Sequence, residues 1–116
     1  MYRSISLSDL DPDKIRERLI AVGDEWADTK AAFEALDDLT KTLLADVTLN
    51  YLPTCASKSE AEARALADRV YKEHLASKAA ARKAWLKSEV RWKTGMLWAE
   101  LRRSRESTLR AEMRLQ

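Results

Sequence analysis

The sequence predicts an all-α protein, an elongated antiparallel helical hairpin with coiled-coil-like packing that assembles into an oligomer. Three observations predict it. Only two glycines and two prolines occur in 116 residues, and charged residues make up 34% of the chain. This composition favours long helices with few tight turns. Apolar residues recur at alternating spacings of four and three over some forty positions, the seam of helices that pack side by side. The C-terminal half carries apolar residues on more than one helical face, which one hairpin partner cannot cover. At this length the chain forms a single domain, 1–116.

Residues 1–10 form an N-terminal extension before the first helix, which spans 11–50. Asp11 supplies a capping carboxylate, and Pro12 suits the first helical position, where its missing N–H is no loss. The seam then runs Ile15, Leu19, Val22, Trp26, Thr29, Phe33, Leu36, Thr40, Leu43, Val47, Asn50. Gly23 keeps the phase of that seam, so the helix is expected to continue through it, at most with a mild kink. Residues 51–58 form the loop: Pro53 disfavours helix at Leu52 and removes a donor. A capping box is expected at Ser59 and Glu62, opening a long second helix over 59–114. On that helix Leu86, Val90, Leu97, Leu101, Thr108 and Leu115 share one stripe. Trp85, Trp92 and Met96 form a second stripe, with Ala99 at its edge, and are expected to serve as the oligomer interface. Glu89 and Lys93 lie between the stripes and can pair at i,i+4.

The net charge of +2 conceals an asymmetry. Residues 1–71 hold 9 basic and 14 acidic side chains, whereas residues 72–116 hold 12 basic and 5 acidic. Two readings stay open: opposite charges pair across antiparallel helices, or the basic half meets a polyanion. Catalysis is not expected. Cys55 and His74 are the only residues of their types and fall on separate elements, so neither a zinc set nor a Cys–His nucleophile is available. Gly23 and Gly95 are isolated, which excludes a glycine-rich phosphate loop. No carboxylate–histidine metal motif occurs; no catalytic residue, metal or cofactor is expected. A lone cysteine fits a reducing compartment. Neither a signal peptide nor an apolar span is recognisable, so a cytoplasmic location is expected.

The segment Ala84–Arg105, AWLKSEVRWKTGMLWAELRRSR, holds three of the four tryptophans. Trp85 and Trp92 are seven residues apart and read as packing residues. Trp98 shares a face with Lys87, Arg91, Thr94, Arg102 and Arg105, a basic ridge with one aromatic in it. Cations that follow phosphates beside a ring that stacks on a base suit single-stranded nucleic acid. Arg103, Arg110 and Arg114 extend the basic character. The competing reading is a solvated face whose Trp98 packs in an oligomer. Membrane binding is disfavoured because Glu89 and Lys93 break the apolar face.

With its SxSEAEARA helix start (Ser57–Ala65) and its ELRRSRESTLRAEMR end (Glu100–Arg114), the chain resembles small helical bacteriophage proteins. Some of these are similar to the UvsY recombination mediators. The resemblance covers the general layout and the character of the C-terminal half. It implies a non-catalytic, oligomeric, sequence-independent single-stranded DNA-binding accessory protein acting in DNA recombination beside a recombinase, inside a bacterial host cell. The alternative is a phage assembly, adaptor or inhibitor protein that docks its basic helix on an acidic surface of a phage or host protein.

Overall fold

A computed structural model of the chain describes residues 11–115. The all-helical expectation holds: helix α1 spans Pro12–Tyr51, a 3-10 turn covers Leu52–Thr54, α2 spans Lys58–Ala67 and α3 spans Arg69–Leu115, with no strand among the described residues. The expected N-terminal extension, 1–10, lies outside the described residues.

Local chemistry accounts for each boundary. Asp11 opens α1, its carboxylate accepting from the Asp13 N–H at 2.9 Å and satisfying one of the donors that a helix start leaves free. The helix passes through Gly23 without interruption, and neither glycine has a positive φ. It ends at Tyr51, before Pro53 could break the ladder. The next start differs from the expected Ser59–Glu62 box. Ser57 is the cap: its Oγ accepts from the Glu60 N–H at 3.2 Å, and the Glu60 carboxylate accepts from the Ala56 N–H at 3.0 Å. Ser57 and Glu60 have the same spacing as the expected pair but stand two residues earlier. Lys58 and Ser59 are therefore already helical.

The long second helix is also divided, at Asp68, with no glycine or proline there. The Asp68 backbone is extended (φ −64°, ψ 140°). Its N–H closes α2 on the Ala65 carbonyl at 3.1 Å, and its Oδ1 accepts from the Val70 N–H at 2.8 Å to open α3. One residue thus terminates a helix and caps the next, a role for which aspartate is suited because its short side chain competes for nearby backbone donors. Tyr51 donates its hydroxyl to Asp68 Oδ2 at 2.7 Å, tying this joint to the end of α1.

The chain forms two compact units, Met1–Ala27 with Leu86–Gln116, and Asp28–Trp85. Within each, α1 and α3 run antiparallel. In the second unit, Phe33 stacks on Trp85 (centroids 5.3 Å apart, 19° between planes), and Lys78 pairs with Asp37 at 2.9 Å. Thr40 Oγ1 lies 3.0 Å from His74 Nε2, and the fully buried Ala61 and Ala65 face inward from α2. In the first unit, Trp26 stacks on Trp92 (6.0 Å, 7°), and Gly95 receives Leu19 and Val22. Each aromatic pair contributes about 0.5–1.5 kcal/mol beyond its buried area. Along α1, every seam position from Ile15 to Val47 is buried or half-buried, and only Asn50 is exposed.

Candidate nucleic-acid interface

The face that α3 turns toward α1 follows the same alternation of three and four as the α1 seam. It runs Tyr71, His74, Lys78, Ala81, Trp85, Ser88, Trp92, Gly95, Ala99, Arg102, Glu106, and each of these is buried or half-buried. This reverses the expected use of the two stripes. Trp85 and Trp92 do not supply an outward interface; their rings are occupied by Phe33 and Trp26 of the same chain. Met96, 38% exposed, stays at the surface. The more apolar stripe points away, with Leu86 43%, Val90 64%, Leu97 59% and Leu101 49% exposed. Size explains the exchange. Gly23 leaves room for the Trp92 six-membered ring, which would come within 3.1 Å of a Cβ added there, and Ser88 and Gly95 let the backbones approach. Large rings interleaved with very small residues fill a helix–helix interface as well as a row of leucines does.

The basic ridge is divided by the same packing. The Arg91 guanidinium makes a two-pronged pair with Glu25 across the helices, its Nε donating to Oε2 at 3.2 Å. Arg102 pairs with Glu106 one turn on, at 3.0 Å. Trp98 is half-buried, and the Arg18 guanidinium lies over its ring, 4.9 Å from the centroid, the geometry of a cation–π contact. Thus Trp98, read as a base-stacking ring, already has a partner on one face. Lys87, Arg103, Arg105 and Arg110 differ. All four are exposed, and none has an ion-pair partner among the described residues. Arg103 also lines a groove of about 440 Å³ with Arg16, Ile15, Leu19, Ile20 and Ala99 among its walls. The two readings of the charge asymmetry therefore apply to different residues. Arg91 and Lys78 pair with acids of α1, whereas Lys87 and Arg105 on one side of α3, and Arg103 and Arg110 on another, are left exposed.

The shifted titrations lie at the helix joint. The hydrogen bond that Tyr51 donates to Asp68 raises the phenol above its ordinary value. The same bond, with the backbone N–H of Val70, holds the Asp68 carboxyl below the usual carboxylate range. Asp68 is engaged in capping and Tyr51 in holding it, and both line a shallow groove of about 360 Å³ with Leu43, Val47 and Val70. Among the described residues no group of His, Cys, Asp and Glu is arranged to hold a metal ion. None of their helices is long and apolar enough to cross a membrane. Cys55 is half-buried in the turn after α1.

What the fold and this surface define is a class: an all-helical chain whose longest helix packs by aromatic rings and small residues on one face and exposes leucines and arginines on the others. Searches against family models, curated proteins and solved structures return no match to this chain.

Proposed function

We propose that this chain is a non-catalytic accessory protein that binds single-stranded DNA without regard to sequence and acts as an oligomer, the role that the UvsY resemblance implies. The observation that supports the reading is that Lys87, Arg103, Arg105 and Arg110 of α3 are exposed and have no ion-pair partner among the described residues. Phosphate neutralisation supplies most non-specific affinity, and such cations need no exact geometry to supply it. Coiled-coil-like association of several copies multiplies weak contacts through effective concentration. The ridge expected from the sequence is thereby revised. Arg91 and Arg102 serve the fold, and a base reaches Trp98 only on the face that Arg18 leaves open or after Arg18 moves.

The experiment is an anisotropy titration with labelled oligonucleotides over a series of salt concentrations. If each of the four cations neutralises one phosphate, the slope of log K against log salt is about −3 per protomer. Reversing all four to glutamate abolishes binding and leaves helix content unchanged. Absence of binding at low salt refutes the proposal.

A second reading is an assembly or adaptor protein that docks α3 on an acidic protein surface. It is favoured by the Arg18–Trp98 contact, which removes part of the aromatic platform that stacking requires. In that case oligonucleotides fail to compete with the protein partner near physiological salt.

A further inference from the structure

The outward stripe of α3 carries a pattern that selects its occupant. Leu86 and Leu97, Val90 and Leu101, and Glu89 and Glu100 are each eleven residues apart. An eleven-residue period is 3.67 residues per turn, so the stripe follows an almost straight helix with little supercoil. At about 100° per residue the stripe lies opposite the Ser88–Trp92–Gly95–Ala99 face that packs on α1. Glu89 and Glu100 then border it on one side, together with Lys93, which pairs with Glu89 at 3.8 Å, and Lys87 and Arg105 border it on the other. The first border is net acidic and the second basic.

We infer that this face is where a second copy of the chain docks, with the two α3 helices parallel and in register. The inference rests on reading the protein as an oligomer, and it names the face and the direction. Parallel packing about a two-fold axis brings the acidic border of one helix against the basic border of the other. Glu100 then faces Arg105 of the second copy, five residues further on and about 7.5 Å along the axis, a span these long side chains cross at a helical seam. Symmetry makes that contact twice. Antiparallel packing matches like borders instead. Aligning Leu86 with Leu101 and Val90 with Leu97 of the second copy leaves Glu89 about 3 Å along the axis from its Glu100, a repulsion also made twice and reduced in part by the Lys93 that pairs with Glu89. Glu100 and Arg105 have no ion-pair partner among the described residues, so both are available to a second copy, and an Arg105 paired there leaves Lys87, Arg103 and Arg110 as the cations open to phosphate.

Cysteine cross-linking without DNA tests the inference. With Cys55→Ser as the background, Leu97→Cys and Val90→Cys are each expected to form a disulfide dimer with themselves under mild oxidation. The rate should exceed that of the exposed control Ala21→Cys at least 10-fold. A disulfide needs Cα atoms within about 7 Å. Antiparallel packing would separate the two Leu97 positions by about 10 Å along the axis. It would cross-link only a mixture of the two variants, and that result overturns the inference. Rates no faster than the control overturn it as well. Glu100→Arg or Arg105→Glu alone should weaken the dimer about 3- to 10-fold by light scattering, and the two together should restore it. Tightening by Glu100→Arg points to the antiparallel pair and refutes the parallel one. An oligomer that fails the cysteine test loses this face and keeps the oligomeric reading, whereas a monomer loses both. DNA binding is read separately.

Discussion

Alanine at the two glycines separates rigid from yielding packing. In a helix interior, Gly→Ala contributes about 0.8–1.0 kcal/mol of helix stability, and both glycines lie at non-positive φ. The sign of each change is decided by what the new methyl meets. At Gly23 it comes within 3.1 Å of Trp92 Cζ3, with Cε3 at 3.5 Å and Cη2 at 3.8 Å, the flat edge of one ring. Trp26 stacks on that ring at 7° between planes, so it cannot give way without disturbing the stack. At Gly95 the methyl comes within 3.0 Å of Leu19 Cδ2, which is closer but is the end of a flexible side chain. Leu19 also lines the groove of about 440 Å³, so its methyl can rotate into open space. Overpacking costs about 1–3 kcal/mol where neighbours are fixed. Against the helical gain, Gly23→Ala should destabilise by up to about 2 kcal/mol and lower the melting temperature by up to roughly 8 °C. Gly95→Ala should fall within about 1 kcal/mol of the parent. Urea unfolding followed by circular dichroism, at one fixed protein concentration because assembly adds to apparent stability, measures both. A Gly95 variant less stable than the Gly23 variant, or a stabilising Gly23→Ala, refutes the assignment of the Trp92 ring as the rigid partner.

Tyr51→Phe should raise the Asp68 pKa toward the ordinary carboxylate value, read by NMR titration of the carboxyl carbon, because the phenol hydrogen bond is the largest cause of its depression. Since the folded pKa lies below the unfolded one, the stabilisation from Asp68 is present above the unfolded value and fades as pH falls through the folded value. In Tyr51→Phe this acid-limb loss should shrink, and an unchanged profile sinks the account of the joint. Tyr51 itself has a raised pKa in the fold, so its contribution is present below the ordinary tyrosine value and is lost as pH rises through the folded one. Trp98→Ala should release Arg18, and a base stacked on the ring contributes about 1–3 kcal/mol. A 5- to 150-fold loss of oligonucleotide affinity assigns the ring to DNA, whereas unchanged affinity with lower stability assigns it to Arg18 alone.

How much was legible in the sequence varies by element. The α1 seam could be read directly, because its positions from Ile15 to Val47 are mostly large and apolar and the spacing alone defines one face. The helix start at Ser57 and the division at Asp68 were present as chemistry but overshadowed. Ser59–Glu62 repeats the spacing of Ser57–Glu60, and Asp68 caps a helix where no proline or glycine announces a break. By itself the sequence determined the all-helical class, the phase of α1 and the basic excess of the C-terminal half, since these depend on propensity, period and charge. The tertiary structure alone decided which face of α3 turns inward. Apolar content favours Leu86–Val90–Leu97–Leu101, yet Trp85, Ser88, Trp92 and Gly95 are the residues that fill the space against Phe33, Gly23 and Trp26. Complementary volume, a ring opposite a missing side chain, belongs to pairs of residues far apart in the chain. The division of the arginines has the same cause. Arg91 reaches Glu25 because the helices place those two positions side by side, whereas Arg103, Arg105 and Arg110 are exposed and meet no acid of α1 among the described residues.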